Sequence, residues 1–236
     1  LLSPKKLVKS TVTNQSPQLA VIDIEGVIGV PEGWQFEEPG QRVATYETFH
    51  AVVSSLKELE VRQVVINIRS TGGNVNVALL IYDTLKGLGV QVTTKCFGYV
   101  ASAATVKAQA ASPGCREISA NSLYLIHRSV CTAEGNAQEL TRSAEMLDKT
   151  DERLASIYAA SSGKPADGFA ALMEENNGNG RWLSPQETVE YGLVDRVTET
   201  MPLNSGLAEE ICDLGLAPGP RELTGKKRNK ERKNIS

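Results

Sequence analysis

No apolar run in this 236-residue chain approaches the roughly 18 residues that a membrane span requires. Histidine is nearly absent: His50 and His127 are the only two, too few for a histidine-rich metal centre. The four cysteines, Cys96, Cys115, Cys131 and Cys212, include no CxxC pair and no partner histidine at ligand spacing, so they read as free thiols. The opening "LLSPKKLVKSTVTNQSP" lacks the apolar core of a secretory signal. There is no GxGxxG turn and no glycine-rich loop ending in Lys-Ser/Thr, so neither a dinucleotide nor a nucleotide phosphate has its usual cradle. These absences predict a cytoplasmic chain with no membrane anchor, no metal and no cofactor.

What is present is an ordinary globular composition, 41% hydrophobic and 22% charged. Charge is unevenly spread. The last 16 residues, "RELTGKKRNKERKNIS", carry seven Lys/Arg against two Glu, so the net charge of −3 divides into +5 there and −8 elsewhere. A short basic tail can touch nucleic acid or an acidic protein face, but a solvated, disordered terminus is the plainer reading. The chain parses as an N-terminal extension (1–18), one domain (19–200) and a C-terminal tail (201–236).

Within the domain, "LAVIDIEGVIGV" (19–30) reads as a buried strand and "PEGWQFEEPGQ" as a loop. Phe49, Val52, Val53, Leu56 and Leu59 recur at helical spacing. "VRQVVINI" (61–68), "VQVTTKCF" (90–97) and "SLYLIH" (122–127) read as further strands, with "VALLIYDTLKGLG" as a helix closed by glycine and "GLVDRVTE" (192–199) as a short last strand. Alternating hydrophobic strands and helices predict a parallel α/β sheet covered on both faces. Residues 134–160 read as one long helix whose apolar stripe (Leu140, Ala144, Leu147, Leu154, Ile157) is narrow. Such a helix is expected to project and pack on another subunit.

Sites in open α/β sheets form at the carboxyl ends of strands, and three such ends carry unusual residues. "RSTGGNV" follows one strand, "GYVASAAT" with Ser102 follows another, and His127 closes a third. Taken singly, these are a turn, a small residue at a helix start and a strand-end histidine. Together they are the parts of acyl transfer: nucleophile, general base and amide donors for an oxyanion. His50, on the apolar side of its helix, reads as a structural or surface residue.

The segments "VVINIRSTGGNVNVALLIYDTLK", "GYVASAAT", "LYLIHRSVCTAEGNA" and "RWLSPQETVEYGLVD" resemble, in order and in register, the proteolytic-subunit family of the Clp protease (ClpP), including its phage head-maturation relatives. The resemblance runs from about residue 19 to 199. It implies the α/β fold of the ClpP/crotonase type, a β-α superhelical spiral with a projecting handle helix. It also implies a serine-type endopeptidase with Ser102 as nucleophile, His127 as its base and the amides of Gly73 and Ala103 as oxyanion hole. A homo-oligomeric ring enclosing the sites, a peptide or unfolded protein as substrate, and an ATP-dependent unfoldase as partner come with it.

Two features depart from the family's pattern. The third triad member is expected two residues before the aromatic of "RWLS", where this chain has Gly180, inside a loop "EENNGNG" that reads as lengthened. Glu174, Glu175, Asn177 and Asn179 are the candidates for orienting His127, and a carboxylate restored at Gly180 is expected to raise the rate if the loop can adopt the shorter family geometry. The front end also differs: residues 1–18 do not resemble axial loops and "PEGWQFEEPGQ" reads as an insertion, which counts against unfoldase docking. Three rival readings share the fold. One is a Ser/Lys peptidase using Lys107, although five residues place it about 140° around the helix from Ser102. The others are a catalytically inactive barrel subunit and a crotonase-like acyl-CoA enzyme.

Overall fold

The computed structural model describes residues 12–16, 19–56 and 61–199. The expected tail (201–236) lies outside them, as does the expected extension (1–18) apart from the strand at 12–16.

Seven strands form one sheet: β1 (Val12–Ser16), β2 (Leu19–Glu25), β3 (Gln63–Ser70), β4 (Gln91–Ala101), β5 (Arg116–Ser119), β6 (Leu123–Leu125) and β7 (Arg196–Thr198). Their order is β1-β2-β3-β4-β5-β7, with β6 also on β4. Only β1 runs antiparallel, against β2; the other pairs are parallel. The expected parallel α/β architecture is therefore present. β2 and β3 turn Ile22, Ile24, Ile66 and Ile68 to one face, where all four are buried. On the other face Val21 and Asn67 are buried but Asp23, Glu25 and Arg69 are only partly so, and the cover expected there is incomplete.

Seven α-helices and one 3-10 turn (Pro39–Gln41) complete the described chain: α1 (Glu32–Gln35), α2 (Tyr46–Leu56), α3 (Val75–Lys86), α4 (Ala103–Ala108), α5 (Ala137–Ser162), α6 (Ala166–Gly178) and α7 (Pro185–Glu190). In α2 the buried residues are Phe49, Val52, Val53 and Leu56, the ones whose spacing announced the helix. Several expected bounds shift. β2 ends at Glu25 because Gly26 and Gly29 turn the chain at φ 86° and 88°. β4 continues four residues past Phe97, and β7 is confined to Arg196–Thr198.

The extension of β4 positions the site. Ile68 pairs with Cys96, but Ser70 pairs with Val100, so β4 carries two extra residues between those pairs. Gly98, at φ 60°, lets the backbone bulge there. Upstream of the bulge β4 pairs with β5, through Thr94 to Cys96; downstream it pairs with β6, through Tyr99 to Ala101. The strand thus changes partner along its length, and its last residues lead to Ser102.

α5 is opened by a capping box, with the Asn136 side chain accepting from the Glu139 amide and Glu139 returning a bond to the Asn136 amide, and closed by Gly163 at φ 72°. From Ala137 to Thr150 no residue is buried, and Leu140 and Met146 are 46% and 55% exposed. Beyond that, Leu154, Ala155, Ile157 and Tyr158 are buried. α6 buries Phe169, Leu172 and Met173, and only its last residues, 174–178, fall in the stretch expected to be a loop, where Asn176 and Asn177 take left-handed angles. No helix among the described residues is long and apolar enough to cross a membrane.

Candidate active site

Ser102 caps α4 with φ 55° and ψ −133°, a left-side conformation unusual for a residue with a side chain. Held strain of this kind clusters at functional positions. The turn is held from three sides. The Ser102 amide donates to the Leu125 carbonyl at 2.9 Å. Its carbonyl accepts from the Thr105 amide at 3.0 Å and from the Thr105 hydroxyl at 2.6 Å. The Ser102 hydroxyl caps nothing in α4 and forms no hydrogen bond among the described residues. Small neighbours are required: a Cβ on Gly72 would meet Ser102 Cβ at 2.6 Å and the Ala101 carbonyl oxygen at 2.9 Å.

Gly73 lies opposite Ile28, which it meets in an isolated parallel bridge. The Ile28 amide donates to Gly72 O and the Asn74 amide to Ile28 O, each at 2.8 Å. In a parallel ladder this leaves the polar groups of the intervening residue pointing the other way. A side chain at Gly73 would strike the Ile28 carbonyl oxygen at 2.3 Å, and its φ of 139° suits glycine. Neither the Gly73 amide nor the Ala103 amide has a hydrogen-bond partner among the described residues. From Gly73 and Ser129 an open groove of about 750 Å³ extends to Met146 and Lys149 of α5.

His127 follows β6 and is half-buried. Its Nδ1 lies 2.6 Å from the carbonyl oxygen of Arg128. A carbonyl can only accept, so Nδ1 carries the proton and Nε2 keeps its lone pair, the tautomer a general base requires. No hydrogen bond joins His127 to Ser102 in this structure.

None of the four candidates in the 174–180 stretch bonds to His127. Glu174 pairs with Arg128 Nη1 at 2.9 Å and Glu175 with Arg181 at 3.0 Å. Asn179 donates to the Asn176 carbonyl at 2.9 Å, and Asn177 is exposed at φ 58°. Nor has Gly180 room for the missing carboxylate: its φ is 65°, and a Cβ there would sit 2.1 Å from the Ile126 carbonyl oxygen. In this conformation the close approach of two backbones leaves no place for an aspartate at Gly180, so the shorter loop geometry on which that expectation depends is not the one present. Lys107 does not reach Ser102 either. It is fully buried, its Nζ donates to the Ala103 carbonyl at 3.4 Å, and burial lowers its pKa to about 7.

Sequence reasoning missed Arg128 and Asp151. The Arg128 guanidinium is held by Asp151 at 2.9 Å, Glu174 at 2.9 Å and Asp148 at 2.7 Å, and its pKa is raised, chiefly by the hydrogen bond it donates to Asp151. The spacing of Asp148 and Asp151, three apart on one helix face, was the available signal. Among the described residues no group of three His, Cys, Asp or Glu stands close enough to hold a metal ion.

Comparison with known proteins agrees with this arrangement. The model of the Clp protease family matches residues 41–201. The ATP-dependent Clp protease proteolytic subunit of Bdellovibrio bacteriovorus is 30% identical over 169 residues, which cover 69% of this chain and 78% of that protein. The serine at the strained strand-to-helix turn and the two free amides beside it lie inside the matched span; the chain belongs to the Clp protease family and is a serine peptidase.

Proposed function

We propose that the chain is an endopeptidase working through a Ser102 acyl-enzyme. Ser102 Oγ attacks the scissile carbonyl carbon while His127 Nε2 takes the hydroxyl proton. The amides of Gly73 and Ala103 donate to the oxyanion as the tetrahedral intermediate forms. The imidazolium returns its proton to the leaving amine as the C–N bond breaks. Water, deprotonated by the same Nε2, then releases the acid and regenerates the serine. The observation that carries this reading is the uncommitted Ser102 hydroxyl, set at φ 55° beside two unpartnered amides.

The substrate is a peptide or unfolded protein lying in the groove along Gly73–Asn76 and pairing with that edge as an added strand. Residues 19–200 form the peptidase domain. The exposed half of α5 is the handle: on a helix turning 100° per residue, Leu140, Ala144 and Leu147 share one face, and we assign that face to contact between copies in a closed ring of identical subunits. The free thiols of Cys96, Cys115 and Cys131 favour a cytoplasmic setting.

A fluorophosphonate probe tests the chemistry, because it modifies only an activated hydroxyl. Mass spectrometry should place one adduct on Ser102 and none in Ser102→Ala. A wild-type chain that stays unlabelled, and leaves casein and short peptides uncut, would instead be an inactive barrel subunit.

A further inference from the structure

The peptide unit between Arg128 and Ser129 is engaged on both polar edges. Its carbonyl oxygen accepts from His127 Nδ1 at 2.6 Å, and its N–H donates to Asp151 Oδ1 at 2.6 Å. No peptide bond among the described residues is cis, and in a trans peptide the C=O and N–H point in opposite directions within one conjugated plane. Carboxylate, amide and imidazole therefore form a single chain of hydrogen bonds, from Asp151 through the backbone to the ring. A carboxylate on the N–H shifts electron density toward the carbonyl oxygen, and bonds linked in this way strengthen one another where water is scarce. Asp151 meets that condition, with its side chain only 12% exposed. Its other oxygen holds Arg128 Nε at 2.9 Å, which stops the carboxylate from rotating away. Glu174 and Asp148 fix the far end of the same guanidinium, and the Arg128 amide donates to Gly178 O at 3.1 Å.

We propose that Asp151 is the positioning residue for His127, acting across the Arg128–Ser129 peptide in place of an acid that touches the ring. The proposal rests on the reading of His127 as general base. It accounts for the glycine at position 180, where no side chain fits: the negative charge that steadies the imidazolium comes from α5 through one amide rather than from the chain after α6. Throughout the reaction the Nδ1 proton stays on the ring, and Asp151 changes neither protonation nor bonding.

The test uses the full-length assembled protein, labelled with nitrogen-15 in histidine alone. With only His50 and His127 in the chain, the tautomer of each ring can be read separately by NMR. Asp151→Asn keeps the shape and an acceptor oxygen but removes the charge; Asp151→Ala removes both. Wild type is expected to hold His127 as the Nδ1–H tautomer, and Asp151→Ala to mix in the Nε2–H form. On a neutral peptide kcat should fall roughly tenfold in Asp151→Asn and further in Asp151→Ala, at unchanged KM, as expected for a group that acts in the transition state. His127 keeping its tautomer in both variants, or kcat staying at the wild-type value, overturns the proposal. Should Asp151→Ala fail to fold, Asp151→Asn alone decides. If wild type neither cleaves nor takes the fluorophosphonate label, the peptidase reading falls, while the tautomer comparison still decides whether Asp151 governs the ring.

Discussion

Gly72 leaves no room for a side chain against Ser102: a methyl group on the first would lie 2.6 Å from Cβ of the second. Gly72 also sits at φ 107°, where an L side chain is strained. Gly72→Ala must therefore push the nucleophile out of line as well as lower stability. A displacement near 1 Å at the reacting atom costs about 100-fold in rate. Steady-state assays should show that loss mainly in kcat, in protein that still assembles. Near-normal turnover would mean that the position of Ser102 is not set by this contact.

Ser102→Ala should leave the fold intact, because one small side chain replaces another at an unchanged φ. Peptide cleavage should drop on the order of 10³-fold or more, with binding and the amide donors providing whatever remains. Circular dichroism and a peptide assay on the same preparation check both halves.

Gly180→Asp should destabilise the protein and not accelerate it. The new Cβ would overlap the Ile126 carbonyl oxygen, 2.1 Å away, immediately before His127. A lower melting temperature and lower kcat are expected. A faster enzyme would show that the stretch can reopen to admit a conventional acid.

Lys107 makes stability depend on alkaline pH. Its folded pKa of about 7 lies below the unfolded value of 10.5, so between those values the unfolded chain binds the extra proton and stability climbs as pH rises. Below about 7 both states are charged and this dependence vanishes. Lys107→Met should raise the melting temperature at pH 7, by roughly 2–4 °C for each kcal/mol recovered, and flatten the rise toward pH 10. Differential scanning fluorimetry at fixed protein concentration reads both. A slope that survives the substitution assigns it to another group.

Light scattering should find an assembly many times the 25.4 kDa of one chain. Leu140→Asp, on the exposed half of α5, should shift it to smaller species. A wild-type monomer would remove the handle from α5.

How much of this was legible depended on whether backbone or side chains carried the information. Phe49, Val52, Val53 and Leu56 announced α2 because burial follows the 3.6-residue period. β5, only four residues long, is too short to show a period. α6 has its clue in Phe169, Leu172 and Met173, but the asparagines and glycines that follow read as one long loop. Within "EENNGNG", Asn176, Asn177, Gly178 and Gly180 all take positive φ. Those angles turn the chain back against Ile126, and no count of residues reveals such a turn. Ser102, His127, Gly73 and Ala103 could be named as candidates through the resemblance to the Clp proteolytic subunits. Asp151 could not, because its link to the ring passes through a peptide bond rather than a side chain.

The Ser102 amide is bonded to Leu125 O at 2.9 Å, and two residues beyond Leu125 the same segment presents His127. The two chemical groups therefore ride on one carrier, a three-residue strand with its own clasp to the nucleophile's backbone. Breathing of the wider sheet moves serine and histidine as a pair, a common-mode displacement that leaves their separation nearly constant. Differential motion requires the clasp itself to open. Rewriting of the stretch between Glu32 and Glu38, far from that clasp along the sequence, can proceed without retuning the distance on which proton transfer depends.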